Sequence, residues 1–247
     1  MTTPALDIRN VFKNFGGLPA IRDVTMRVEA GERRLILGPN GAGKTTLFNH
    51  IAGDIAPTSG SIRLFGLDIT RMSASRRAHL GIARTYQIIT LFQKDTLEHN
   101  VMLALLGLSR RRFDMFRPPA SIPQMRERVR QALATVGLDR ASQRKVSELS
   151  YGEKRRLEIA LALAQEPKLL LLDEPMAGLS TEERRTVRSL ITSIPRSTTL
   201  VMIEHDMDSA LSLVDKVTLL HYGKVLVDGD RETVVSDPQT REVYLGL

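Results

Sequence analysis

Eight consecutive residues, Gly38-Pro39-Asn40-Gly41-Ala42-Gly43-Lys44-Thr45, meet every fixed position of the pattern G-x-x-x-x-G-K-[ST]. Glycines at 41 and 43 let the backbone curl until several N–H groups point inward, and such a nest suits phosphate oxygens. A helix starting near Lys44 adds the positive end of its dipole. At this spacing the Lys44 ammonium reaches β- and γ-phosphates, and the Thr45 hydroxyl is placed to ligate Mg2+. A chance lysine after a glycine-rich turn is the plain alternative. The strand before the motif and the helix after it argue against that. Further along, the apolar run Leu169–Leu172 ends in Asp173-Glu174. In an open parallel sheet that strand end faces the ligand crevice. Asp173 suits Mg2+, through water, and Glu174 suits polarising a water for attack on a γ-phosphate. Alone, an Asp-Glu pair often just ends a strand in solvent; the upstream cradle gives it weight. His205 ends another apolar run, VMIEHD. There a γ-phosphate hydrogen bond and a purely structural role both fit, with Glu204 and Asp206 as alternative ion-pair partners.

These groups need a scaffold, and the hydrophobic pattern supplies one. LDIRNVF and IRDVTMRVEA alternate as strands do, and Gly31-Glu32 signals a turn. RRLIL (33–37) is a short apolar-rich strand feeding the glycine motif, and Lys44–Ala52 has helical spacing with Leu47 and Ile51 on one face. SIRLFGLDI reads as a hairpin strand. Residues 72–145 are rich in Arg, Ala, Leu and Met and mostly helical, with Met125–Val136 closed by Gly137. KLLLLDE and TTLVMIEHD read as strands buried on both faces. Thr181–Ile191 and Met207–Leu213 read as helices, and KVTLLHYGKVLVDG as a hairpin around Tyr222-Gly223. The fold class is therefore α/β. A helical subdomain at roughly 85–160 is inserted into a core of roughly 6–84 and 161–238, and 239–247 form a tail.

Composition narrows the function. The 247 residues include no cysteine, which excludes disulfide scaffolds, thiolate zinc sites and cysteine nucleophiles. Apolar stretches such as Val101–Leu106 fall far below the ~18 residues that span a bilayer. MTTPALDIRN lacks a basic-then-apolar signal pattern, so a cytoplasmic location is expected. The net charge of +7 fits nucleic acid, an anionic membrane surface, a polyphosphate ligand or only a solvated surface.

Between the helical region and the Asp173 strand stands Leu149-Ser150-Tyr151-Gly152-Glu153. Ser150 reads as an N-cap, with Glu153 three residues on as in a capping box. A capped helix start with a glycine is also an anion site. With this segment in place the whole chain resembles an ATP-binding-cassette (ABC) transporter ATPase. Gly38–Thr45 resembles the Walker A motif and LLLLDE the Walker B motif. LSYGE resembles the LSGGQ signature, Gln87 in RTYQ the Q-loop, Ala177-Gly178-Leu179-Ser180 the D-loop, and His205 the switch histidine. The resemblance implies a P-loop NTPase core with an N-terminal antiparallel β subdomain. It implies ATP and Mg2+ as cofactors, with ATP contacts from Gly38 through Thr45 and from Thr46. Phe15 stacks on adenine; Thr45, Gln87 and Asp173 serve the metal. Glu174 acts as base, His205 as switch, and Gln87 senses the γ-phosphate and couples to a membrane subunit. Two copies pack head to tail, so that Ser150, Tyr151, Gly152 and Glu153 of one face the ATP of the other. Tyr151, Glu153 and Ser180 depart from the commonest family residues Gly, Gln and Asp, which bears on turnover rather than on ATP binding.

FGGLPAIRDV, GIARTYQIITLF, LSYGEKRRLEIALAL, EPMAGLS and REVYLGL are similar to the ATPases of branched-chain amino-acid importers. Urea importers and lipopolysaccharide-export ATPases are near relatives; ARTYQ speaks against the export type. The implied partners are integral membrane permeases, a second ATPase copy or paralogue, and an extracytoplasmic solute-binding protein, with the chain peripheral on the inner face of the membrane. Leu106–Arg117, LGLSRRRFDMFR, suits either lipid headgroups or a solvated loop. A nucleic-acid-linked ABC ATPase and a binding-only cassette are the competing readings. The single cassette and the lack of a heptad run argue against the first, so no nucleic acid is expected.

Overall fold

The computed structural model describes residues 3–87, 90–109, 123–204 and 210–245. It divides into two compact units, one of residues 1–82, 168–174 and 195–247, the other of residues 83–167 and 175–194.

The first unit holds both β-sheets. Strands β1 (Leu6–Phe15), β2 (Leu18–Val28), β4 (Ser59–Leu64) and β5 (Leu67–Asp68) form an antiparallel sheet of order β2-β1-β4-β5. Alternation sends Leu6 and Ile8 of β1, and Val24, Met26 and Val28 of β2, inward. The alternation slips after Ile8, where the pairing register shifts; Asn10 there has φ 48 and donates to the Asp23 carboxylate at 2.9 Å.

The second sheet has the order β10-β9-β3-β8-β7-β6 among the described residues. Its centre is β3 (Arg33–Leu37), β7 (Leu169–Asp173) and β8 (Thr199–Ile203), parallel and buried throughout. β9 (Lys216–His221) runs parallel to β3 and turns back as β10 (Lys224–Asp230); β6 (Ile82–Arg84) starts in this unit at Ile82. Parallel strands covered on both faces require the near-continuous apolar runs read above. Each fully buried leucine of β7 contributes about 1.5–3 kcal/mol of transfer free energy. Helix α1 (Lys44–Ala52) follows β3, with Leu47, Phe48 and Ile51 in the core. The short α2 (Ala74–His79) brings in Arg77, which donates to the His50, Ile51, Thr70 and Met72 carbonyls and so caps the C-terminal end of α1. Burial pushes the Arg77 guanidinium down to about 10, opposed by Asp54 and Asp68. α7 (Arg231–Ser236) is followed by α8 (Pro238–Leu245), which takes in residues 239–245 of the segment read as a tail.

The second unit is helical. α3 (Leu97–Leu108) is N-capped by Thr96, whose hydroxyl accepts from the His99 amide at 3.1 Å. α3 packs with α4 (Pro123–Thr135) and α5 (Tyr151–Leu163), and Val101, Leu105, Val129, Leu133, Leu157 and Ala160 are buried. α6 (Thr181–Ser193) starts at Thr181, as the sequence pattern indicates, and is capped by Ser180. Residues 110–117 of the basic-aromatic segment lie outside the described residues, as do 207–209 of the expected Met207–Leu213 helix. No helix among the described residues is long and apolar enough to cross a membrane.

Candidate functional site

In the first unit, β3 delivers the chain into the glycine loop and α1 takes it away. Gly43 has φ 103, and a Cβ there would sit 2.8 Å from the Ala20 carbonyl oxygen. A side chain is excluded by conformation and by space together. Gly41 has φ 81, but its Cβ direction is open, so the exposed rim of the loop at Asn40 and Gly41 can take a ligand at close range. The loop is braced from behind. The Ala42 amide donates to Pro39 at 3.2 Å, the Gly223 amide donates to Ala42 at 2.9 Å, and the Arg22 amide donates to Gly223 at 2.7 Å. Gly38 and Ala42 are buried, Thr46 is half-buried, and Thr45 is exposed in the first turn of α1.

Lys44 is only 6% exposed. Its ammonium donates to the Gly38 carbonyl at 2.6 Å and to the Pro39 carbonyl at 3.0 Å, so the lysine lies along the loop that it follows. Burial pushes its pKa down, and the nearby carboxylates of Glu174 and Asp173 oppose that. Asp173 closes β7 and is 2% exposed. Glu174 takes the left-handed conformation, φ 47, while its amide donates to Ile203 at 3.0 Å. A non-glycine residue there carries strain of roughly 1–2 kcal/mol, which the flanking buried strands hold in place. The strand end thus turns sharply, with both carboxylates within electrostatic range of Lys44. Phe15 ends β1, 46% exposed, with the Lys13 ammonium 5.0 Å above its ring. His205 lies outside the described residues; the preceding Glu204 is buried.

The second unit holds the remaining candidates. The full capping box is present: the Glu153 amide donates to the Ser150 hydroxyl at 3.1 Å, and the Ser150 amide donates to the Glu153 carboxylate at 2.8 Å. Tyr151 is exposed and lies beside Gly178, where an added Cβ would come within 3.3 Å of its ring. Ala177 is half-buried, Leu179 buried, and Ser180 caps α6 with its own capping box through Glu183. Gln87 is exposed just after β6.

Three residues of this unit escaped the sequence reading. Arg155, 1% exposed, donates to the carbonyl of Tyr86 at 2.9 Å and to Glu158 at 2.8 Å. Glu158 also accepts from the Thr90 backbone, so the pair brackets the segment that contains Gln87. Burial pushes the Glu158 carboxyl up, against the pull of Arg155. Glu183 accepts from the Gly152 amide at 3.1 Å and from the Ser150 hydroxyl at 3.4 Å. Arg155 and Glu158, three apart in the largely apolar run RRLEIALAL, were the available signal for the first two; Glu183 gave none beyond the α6 cap.

The first unit thus brings together a glycine loop, a buried lysine and two strand-end carboxylates. The ABC transporter family profile matches residues 21–177. The chain belongs to the ABC transporter family. Among its ABC relatives, the high-affinity branched-chain amino acid transport ATP-binding protein BraF of Pseudomonas aeruginosa is 36% identical, covering 100% of this chain and 99% of BraF. The lipopolysaccharide export system ATP-binding protein LptB of Acidithiobacillus ferridurans is 35% identical over 98% of this chain and 96% of its own. The ADP conformation of MJ1267, an ATP-binding cassette of an ABC transporter, superposes with a TM-score of 0.86 at 28% identity, covering both chains fully. As an ABC ATPase, the chain is the nucleotide-hydrolysing subunit of a transporter.

Proposed function

We propose that this ABC subunit drives the import of branched-chain amino acids. The position of Lys44, between its own loop carbonyls and the charges of Asp173 and Glu174, carries the nucleotide part of that reading. Gly38, Pro39, Asn40, Gly41, Ala42 and Gly43 wrap the phosphates, Lys44 neutralises the β- and γ-oxygens, and Thr46 supports the rim. Phe15 offers the adenine a face. In the first unit Thr45 and Asp173 offer hard oxygens of the kind Mg2+ takes; Gln87 is assigned to the same cation by resemblance alone. Among the described residues no group of three His, Asp or Glu could hold a metal unaided. A cation that keeps water and phosphate ligands needs no such cage. When bound, it would neutralise charge on the transferring phosphoryl group.

Glu174 is the base for the attacking water, and His205 is assigned the switch role by resemblance. Ser150, Tyr151, Gly152 and Glu153 meet the ATP of a second cassette, and Ala177–Ser180 line that junction. Permease subunits anchor the pair at the inner face of the membrane, and an extracytoplasmic binding protein delivers the solute. The BraF likeness supports the amino-acid assignment.

The test is reconstitution with the integral subunits that co-purify with the chain. ATP turnover stimulated by leucine-loaded binding protein is expected, with nucleotide binding lost in Lys44→Ala. Co-purification with lipopolysaccharide-export components would overturn the importer reading. Unchanged nucleotide affinity in Lys44→Ala would overturn the cradle.

A further inference from the structure

The two donors assigned above to a second copy's ATP, the Ser150 hydroxyl and the Gly152 amide, both point at one oxygen of Glu183, at 3.4 and 3.1 Å. The other oxygen accepts from the Ser180 amide and hydroxyl, each at 3.0 Å. One carboxylate therefore serves the starts of both α5 and α6. It sits so close that a Cβ on Gly152 would overlap it. Hydrogen bonds from Ser180 and Gly152 hold the carboxyl below its ordinary range, so it is ionised at neutral pH. A carboxylate and a phosphate oxygen are the same kind of partner for a helix start: anionic, and accepting from N–H and O–H groups.

We propose that Glu183 is a placeholder for nucleotide phosphate. In the unpaired chain its carboxylate occupies Ser150 and Gly152, and it must yield them to a phosphate oxygen of ATP held by a second copy. The inference rests on the reading of Ser150–Glu153 as the contact to that ATP. Two anions cannot share these donors without repulsion. A ligand that must first displace an internal competitor binds more weakly by the fraction of open sites. Pairing is thus opposed by Glu183, and displacement alters the α6 cap at Ser180 in the same step. A residue that only braced the two helices would have the opposite effect, because its loss would disorder the donors and weaken pairing.

The test uses the full chain carrying Glu174→Gln, to slow turnover, with and without Glu183→Gln or Glu183→Ala. Sedimentation velocity across a MgATP titration gives the concentration for half-maximal pairing. Both substitutions are expected to lower it about fivefold or more, alanine at least as far as glutamine, with ADP affinity within about twofold of the parent. The near-isosteric glutamine variant keeps the test sound if alanine unfolds the α6 start. Pairing with an unmoved or raised midpoint in folded Glu183→Gln overturns the proposal alone. No ATP-dependent pairing in any of the chains overturns the reading of Ser150 and Gly152, and the placeholder with it.

Discussion

The glycine loop after β3 and the turn before α5 are both helix starts that present N–H groups to anions, yet they are held in different ways. The loop is braced by backbone bonds, Ala42 to Pro39 and Gly223 to Ala42, with the Lys44 side chain laid onto the Gly38 and Pro39 carbonyls. The α5 turn is fixed by side chains, the carboxylates of Glu153 and Glu183. Backbone bracing makes a site whose shape is set once the fold forms. Side-chain bracing makes a site whose partners can be exchanged. Under the proposed function, the fixed site holds nucleotide and the exchangeable one engages a second copy.

The sharpest way to break the contrast is at Gly43. Gly43→Ala adds a Cβ 2.8 Å from the Ala20 oxygen at φ 103. Strain and overlap together should cost about 3 kcal/mol and abolish nucleotide binding. Urea unfolding and ADP titration would read both; a stable variant that still bound ADP would show the loop to be deformable. Next comes Arg155→Ala, which leaves Glu158 buried without its cation. A loss of about 3 kcal/mol is expected, by thermal or urea unfolding. Single-chain ADP affinity measured without Mg2+ should be unchanged, since the pair touches the segment that holds Gln87 and not the glycine loop. Smaller still, Ser150→Ala removes one cap of α5, for about 1 kcal/mol. Loss of more than that would mean the turn depends on its serine for more than a cap.

The smallest effect is in pH. Glu183 has its pKa lowered in the fold by Ser180 and Gly152, from an ordinary value of 4.5. Its contribution to stability is therefore present above that value and lost as pH falls through the lower folded value. Acid unfolding of Glu183→Gln should show a shallower pH dependence in that window, and an unchanged curve would contradict the ionised cap.

What the sequence revealed follows the same division. Residues 33–52 were legible because every contact that shapes them leaves a local trace: an apolar run, glycines at fixed spacing, helical periodicity. The capping box at Ser150 was legible for the same reason. Glu183 was not, since its bonds to Ser150 and Gly152 join residues that share no local pattern. The charge was misleading too. Arg34, Arg77 and Arg155 look like part of a solvated basic excess, yet all three are buried. Arg34 is held by Glu32, Thr218, Asp228 and the Arg27 carbonyl, a set scattered across four strands and turns. Nothing in a linear reading distinguishes such an arginine from one in water.

One tether has a consequence in time. β3 lies between β8 and β9 in its sheet, and the loop that follows β3 is bonded to Gly223. A ribosome makes β8 and β9 more than 150 residues after the glycine loop. At about 5–20 residues per second, that leaves the most recognisable motif of the chain unsupported for roughly ten seconds or more. The glycine loop of a newborn chain gains its full bracing only once β8, β9 and Gly223 have been made and have closed around it.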